Sequence, residues 1–397
     1  MRPPGSPVPL PLYLLEPWDP GPAWAPFAGV RPIAELRAGV WKIRERWEAA
    51  LGLETAAILG AHIEGFYEGF EPPCRGVGAI VGPAVVAAAW FAPTGPAVEL
   101  EAGVRRLTHA DETVAWVVPA GARWDGPDLS GPASPVPGVR LRGVHDLLTA
   151  LERYLAPDCL AFLAGEHDPV PAGSVVLGAA ERVVCRGAQV EPGVVFDTRG
   201  GAVVLEAGVE VRHGTRLEGP FYAGPGSRIL GGYLRASVLG PRCVVRGEVT
   251  ASVFLGFSNK AHDGFVGHSV IGHWVNLGAL TTTSNLKNTY GEVALEVSGT
   301  RLPTGRQFLG SLIGDHAKTA IGTMLATGTV IGAGANVFGE VRPPRYVPPL
   351  AWGAGAAERL TEDGFLKVAE RVMPRREVAF TPERRASLVA TYRRLAR

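Results

Sequence analysis

The stretch that decides the fold is residues 313–337, IGDHAKTAIGTMLATGTVIGAGANV. Every sixth residue from its start is apolar or β-branched: Ile313, Thr319, Leu325, Ile331 and Val337. A period of six fits neither the 3.6-residue turn of an α-helix nor the simple alternation of a strand. The same count from 205 gives Leu205, Val211, Leu217, Ala223 and Ile229, and Ile271 and Leu277 fall in phase with both sets. Glycine often follows directly, as in IGHWVN, LGALTT, IGDHAK and IGAGAN.

This repeat, running over residues 175–345, is the signature of hexapeptide-repeat proteins, in which three hexads make one triangular coil of short parallel strands. The aliphatic residue points into a narrow prism, and the small residue beside it permits a tight corner. One coil cannot bury its own aliphatics, so the element is expected only as a stacked array rather than as a Gly-rich β-sandwich. The resemblance implies a left-handed coil, an exception to the right-handed crossover rule.

Composition agrees with a chain that turns often. Gly contributes 52 and Pro 34 of 397 residues, and the hydrophobic fraction of 46% is enough for sizeable cores. A formal net charge of +1 gives no reason to expect nucleic acid as a partner. Cys74, Cys159, Cys185 and Cys243 are far apart, indicating neither a disulfide framework nor a zinc site, and no metal ligands are expected. The uncharged run 77–98 is cut by Gly82-Pro83 and Thr94-Gly95-Pro96 into strand-sized pieces, so no membrane span is expected. The opening MRPPGSPVPLPLYLL is too broken by proline for an export signal, and a cytoplasmic location is expected.

Three domains follow. Residues 1–165 read as an α/β domain with a helix in AELRAGVWKIRERWEAAL, where Leu36, Val40, Ile43 and Trp47 have helical spacing. A second helix over 143–165 leads to the linker EHDPVPAG. The β-helix occupies 172–350. A tail over 355–397 carries two helices, 356–371 and 381–396, the second with Thr381 as N-cap and Pro382 in its first turn.

Residues 258–291, SNKAHDGFVGHSVIGHWVNLGALTTTSNLKNTYG, resemble the acetyltransferase half of the bifunctional family that joins glucosamine-1-phosphate N-acetyltransferase to N-acetylglucosamine-1-phosphate uridylyltransferase. NKAHDGFVGHS, LKNTYG and GDHAKTAIGTM resemble more closely an alternative bacterial branch of that family, described as sugar nucleotidyltransferases; the N-terminal domain matches weakly, through RPIAELRAGVWKIRERW. The resemblance implies an acetyl-CoA-dependent N-acetyltransferase acting on an amino-sugar phosphate, working as a homotrimer with its site between neighbouring β-helices. It places His262 as general base, a task an imidazole suits near neutral pH. It places Asn276 and Asn285 at the sugar phosphate or near the acetyl carbonyl, and the Ala279 backbone N–H at the cofactor. Lys260 and Lys287 are then substrate contacts and Lys318 a cofactor contact.

The chain departs from the family in several places. Phe265 stands where the family has a tyrosine, the basic residues before the site are not matched across VTASVFLGF, and a serine of the parent has only Thr319 or Thr323 nearby. The N-terminal domain has no G-x-G-T-R run, and AIVGPAVVAAAW holds no Asp for a metal, so that domain is expected to be degenerate. Arg31, Arg37 and Lys42 are its candidate phosphate contacts. A nucleoside triphosphate and Mg²⁺ belong to the protein only if this half is active.

Two rivals stay open at this stage. One is a γ-type carbonic anhydrase, suggested by His268 and His273 at H-x4-H spacing. The other is a non-catalytic trimeric scaffold that binds a sugar nucleotide. The basic tail 371–397, with eight Arg and two acidic residues, is expected to serve either the cofactor site or the trimer.

Overall fold

The computed structural model describes residues 10–95, 98, 100–127, 130–355 and 357–397, so the first nine residues of the proline-rich opening fall outside it. Contacts group the chain into two compact units. The first is built from residues up to Pro20, Arg31–Leu36 and Trp41–Leu141; the second from Gly21–Val30, Arg37–Val40 and Arg142–Arg397.

The first unit holds a seven-stranded sheet. Leu12–Leu15 lies between Thr55–Leu59 and Ala84–Ala88 and runs parallel to both, and Glu112–Val118 pairs antiparallel with Ala84–Ala88. All five residues of Ala84–Ala88 are buried, as expected of a parallel strand covered on both faces. The uncharged run thus becomes the short strands Ile80–Val81, Ala84–Ala88 and Phe91–Pro93. No helix among the described residues is long and apolar enough to cross a membrane.

The helix expected from Ala34 onward is shorter than the periodicity suggested. It is α1, Ile43–Leu51. Upstream, Ile33–Glu35 makes only a 3-10 turn, and Gly39 takes φ +75°, a left-handed conformation that stops helix propagation. The helix starts where the Glu45 carboxylate accepts the Lys42 N–H at 2.8 Å and stops at Gly52, φ +65°. Leu36, Val40, Ile43 and Trp47 are all fully buried nonetheless, so helical spacing here marked burial and not a continuous helix.

In the second unit, α2 (Asp146–Ala161) precedes a parallel β-helix. One wall contains nine parallel strands, from Val183–Cys185 to Tyr346–Val347, and a second sheet holds twelve. Residues that share a hexad position stack in register, as in Ile271 on Ile313 and Ile313 on Ile331. Every residue named in the hexad count is at most 5% exposed, and nearly all join one continuous core. Each fully buried aliphatic contributes about 1.5–3 kcal/mol, which a stack of coils accumulates and a single coil cannot.

The glycines of the I-G pairs serve a different purpose from corner flexibility. A Cβ on Gly272 would lie 2.5 Å from the Asp315 Oδ1 and 2.7 Å from the Asp315 N, and one on Gly332 would lie 2.3 Å from the Pro349 N. Space between coils, not a positive φ, requires glycine at these positions.

The repeat is also interrupted. Val293–Val297 and Thr300–Arg306 form an antiparallel hairpin between the coils. After the last coil come α3 (Glu362–Val372) and α4 (Pro382–Leu395), and the Thr381 hydroxyl accepts the Arg384 N–H at the start of α4, as expected. They pack along one corner of the prism, where Phe257, Trp274, His316 and Leu350 repeat with φ near +60°. Met373 and Val378 join Phe257 and Trp274, while Phe365 and Leu366 join Leu350.

Candidate functional site

Residues 261–264 form a turn that interrupts the second wall between Asn259–Lys260 and Phe265–Gly267. Lys260 holds it. Its ammonium donates to the backbone carbonyls of Arg246 at 2.8 Å and His262 at 2.9 Å, and the residue is 2% exposed. Burial pushes the ammonium down to about 8, with Asp263 opposing. Lys260 is therefore an internal clamp and not the phosphate contact expected from the sequence.

Above that clamp the His262 side chain is exposed. Its turn stacks on the next coil, where the Leu280 N–H donates to the Asp263 carbonyl at 2.9 Å. This brings His262 beside the turn carrying Ala279, whose carbonyl accepts from Gly322 at 2.8 Å and whose N–H has no protein acceptor among the described residues.

Asn276 lies in a column of polar residues, paired in register with Asn259 on one side and Lys318 on the other. The Asn259 Nδ2 donates to the Asn276 Oδ1 at 2.9 Å, and Arg376 donates to the Asn259 Oδ1 at 3.0 Å. Lys318 donates to the His316 carbonyl at 2.9 Å, and burial pushes it down to about 8. Asn259, Asn276, Lys318, Arg375 and Arg376 line a pocket of about 310 Å³, floored by Phe257 and Trp274. The basic tail thus meets two of the expected site residues.

Asn285 sits elsewhere, after Thr282–Thr283 and one coil on from His268. Its Nδ2 donates to the His268 Nδ1 at 2.8 Å, and the His268 ring stacks on Phe308 with centroids 5.1 Å apart. Burial first, then the charges of Arg306 and Arg235, push His268 down to about 4, against the opposing pull of Glu152. Sequence reasoning weighed His268 only as a zinc ligand. Its pairing with Asn285 could have been suspected, because the two stand 17 residues apart, about one coil.

A cleft of about 600 Å³ opens beside Asn285, with Leu286 and Met324 as apolar lining and Lys287, Arg342 and Arg345 as its basic groups. Lys287 also donates to the Glu292 carbonyl. An apolar groove with three cations suits the pantetheine and phosphates of acetyl-CoA.

Among the described residues no three of His, Cys, Asp and Glu come together, and His273 is buried against the Phe257 ring at 5.2 Å.

In the first unit the candidate phosphate contacts are taken up. Arg31 pairs with Glu68 at 2.7 Å, with both side chains buried. Lys42 pairs with Glu35 at 2.5 Å; burial works against the Glu35 charge, but Lys42 and Arg44 outweigh it and hold the carboxyl below its ordinary value. Arg37 belongs to the second unit, where it donates to the Leu255 carbonyl at 3.2 Å. The carboxylates at the strand ends are equally engaged. Glu16 accepts the N–H groups of Ile33 at 2.8 Å and Ala34 at 3.0 Å, and Glu71 accepts that of Glu68 at 2.7 Å. These groups, as placed, do not fit a magnesium site.

The architecture is that of a nucleotidyltransferase-like α/β unit together with a left-handed parallel β-helix and C-terminal helices. Residues 22–158 match the family model described as sugar nucleotidyl transferase, so the chain carries that domain. It is similar to a bifunctional sugar-1-phosphate nucleotidylyltransferase/acetyltransferase of Sulfurisphaera tokodaii, 39% identical over 147 residues, 35% of each chain. It is also similar to the bifunctional protein GlmU of Methanococcus vannielii, 32% identical over 106 residues, 25% of each chain. The match to GlmU of Methanocaldococcus jannaschii is 33% over 86 residues, 22% of this chain and 21% of that one. The chain thus aligns with about a third or less of the length of these relatives.

Proposed function

We propose that the protein is an acetyl-CoA-dependent N-acetyltransferase for an amino-sugar phosphate, glucosamine 1-phosphate or a close analogue, assembled as a cytoplasmic homotrimer. The observation that carries this reading is the clamped turn: a buried ammonium spends its hydrogen bonds to hold an exposed imidazole off the wall, beside the turn of Ala279. The names of the relatives, which include an acetyltransferase, point the same way.

Acetyl-CoA, when bound, supplies the acetyl group as a thioester. His262 takes the proton that the acceptor amine sheds as the C–N bond forms, and passes it to the thiolate as the C–S bond breaks. The Ala279 N–H and the Lys287, Arg342 and Arg345 cleft hold the cofactor, and Asn276, with Lys318 and Arg376, holds the sugar phosphate; this exchanges the roles the resemblance implied for Lys287 and Lys318, because Lys287 lines the cleft and Lys318 the pocket of Asn276. Exposed Leu280, Ile321, Met324 and Val341 give the β-helix an apolar surface for its neighbours in the trimer. Nucleotidyl transfer is supported by the family-model match over residues 22–158 and by the name of the Sulfurisphaera relative, although in this structure Arg31 pairs with Glu68 and Lys42 with Glu35.

The test is release of free thiol from acetyl-CoA by the purified full chain, with glucosamine 1-phosphate as acceptor and other amino-sugar phosphates in parallel. Acceptor-dependent release supports the reading; its absence with every acceptor overturns it.

A further inference from the structure

Between the strand Thr282–Thr283 and the inserted hairpin, residues 284–292 form no strand and meet a ladder only through an isolated bridge at Leu286. This segment nevertheless supplies Leu286 and Lys287 to the cleft of about 600 Å³. Its start is fastened to the wall, where the Ser284 N–H donates to the Leu325 carbonyl at 2.8 Å. Past Ser284 the support comes from residues 307–309. Phe308 bridges Leu286, the Leu309 N–H donates to the Asn285 carbonyl at 2.9 Å, and the Gln307 Nε2 donates to the Tyr290 carbonyl at 2.8 Å. The backbone that carries Lys287 therefore stands where 307–309 put it.

Arg306, the last residue of the hairpin, braces that run. Its backbone pairs with Val293 across the hairpin, which any side chain would allow. Its guanidinium reaches out of the hairpin instead: Nε donates to the Phe308 carbonyl at 3.3 Å, Nη1 to the Thr149 hydroxyl at 2.9 Å, and Nη2 pairs with the Glu152 carboxylate at 2.5 Å. Thr149 and Glu152 both belong to α2. The Arg306 side chain is only 13% exposed, so the brace is largely closed to water. A rigid planar fork can serve acceptors in several directions at once, which a flexible ammonium does poorly. We propose that Arg306 is a positioning residue for the cofactor cleft: by bracing the Phe308 carbonyl against α2, it sets where Lys287 stands for the phosphates of acetyl-CoA. This rests on the acetyltransferase reading and deepens it by bringing α2 into the support of acetyl transfer. The family-model match runs to residue 158 and includes Thr149 and Glu152, so the stretch matched to nucleotidyl transfer ends on a helix that serves the other reaction.

The test is calorimetric titration of the full chain with acetyl-CoA, alongside steady-state kinetics, for Arg306→Ala, Lys287→Ala and the two combined. Arg306→Ala should raise Kd and KM for acetyl-CoA by about tenfold, with kcat and KM for the amino-sugar phosphate within about twofold. In the Lys287→Ala background the same substitution should add less than about twofold, because the lysine it positions is gone. A brace that merely supports the fold would weaken binding by the same factor in both backgrounds. Arg306→Lys, which keeps the charge without the fork, should still lose about fivefold, and full recovery by lysine would show that charge alone acts. If Arg306→Ala does not fold, Glu152→Gln and Thr149→Val, which remove the acceptors on α2, carry the same comparison in both backgrounds. A change in Kd below about twofold, equal factors in the two backgrounds, or full recovery by lysine overturns the inference while thiol release by the wild type stands. If the wild type neither binds acetyl-CoA nor releases thiol, the acetyltransferase reading falls and this inference with it.

Discussion

Asn259 and Asn276 stand opposite each other on adjacent coils, joined side chain to side chain at 2.9 Å, and Arg376 of the tail fastens the outer end of that pair. The column is thus tied to the tail while Asn276 still faces the pocket. Asn276→Ala should cost only about 0.5–1.5 kcal/mol of stability, the net worth of an exposed hydrogen bond. It should raise KM for the sugar phosphate by about tenfold, and Arg376→Ala should do the same. Steady-state kinetics on both variants decide the matter: unchanged KM would make the column purely structural.

Replacing His262 with alanine should lower acetyl transfer by about 10²-fold to 10⁴-fold, the usual worth of a positioned base. The side chain is exposed, so circular dichroism and the melting temperature should match the wild type. Activity within about threefold of wild type would remove His262 from the reaction.

Lys260 ties stability to pH. Its folded value of about 8 lies below the 10.5 of an ordinary lysine, so between those pH values the unfolded chain holds a proton that the folded chain has shed. Stability should therefore rise with pH through that window, by about 1–3 kcal/mol from this group. In Lys260→Met that rise should shrink, measured by urea denaturation at pH 7, 8 and 9.5. The same variant should lose about 1–3 kcal/mol at pH 7, because two buried carbonyls lose their donor.

Gly272→Ala tests the packing between coils. The added methyl would meet the Asp315 side chain and backbone at 2.5 and 2.7 Å, so destabilisation of about 1–3 kcal/mol is expected from thermal melts. Gly78→Ala, where nothing lies within 4 Å and φ is likewise outside the left-handed region, controls for the loss of glycine alone.

Magnesium should leave the melting temperature of the full chain unchanged at millimolar concentration, with or without a nucleoside triphosphate. Glu16, Glu35, Glu68 and Glu71 all have partners inside the first unit. A shift of several degrees would show that those carboxylates exchange partners for the ion.

The sequence made the β-helix legible because burial repeats every six residues, and a repeated burial leaves a countable trace. The hairpin 293–306 escaped the same count for a simple reason: Leu277 and Ile313 are 36 residues apart, a whole number of hexads, so the phase survives across a segment that is not solenoid. Alternating Val293, Leu295 and Val297, all buried, was the signal available for it. Helical spacing over 36–47 was misleading because Gly39 breaks the backbone between residues that are each buried for separate reasons. Within the candidate site, His262 and Asn276 could be singled out by motif, whereas the direction of a lysine could not. Lys260 turns inward and Lys287 turns to a neighbouring carbonyl, choices set by which backbone acceptors the folded coils place within reach.

Repeat arrays ordinarily lose their ends first, since each unit leans only on the next. Here the C-terminal helices run along one corner and touch rungs far apart in the chain, Phe257 and Trp274 through Met373 and Val378, Leu350 through Phe365. Such a strap makes neighbouring rungs share one fate: pulling the chain by its C-terminus must first peel the strap, after which the rungs it covered can unzip in turn, so resistance to force should be concentrated in a single early event and not spread evenly along the ladder.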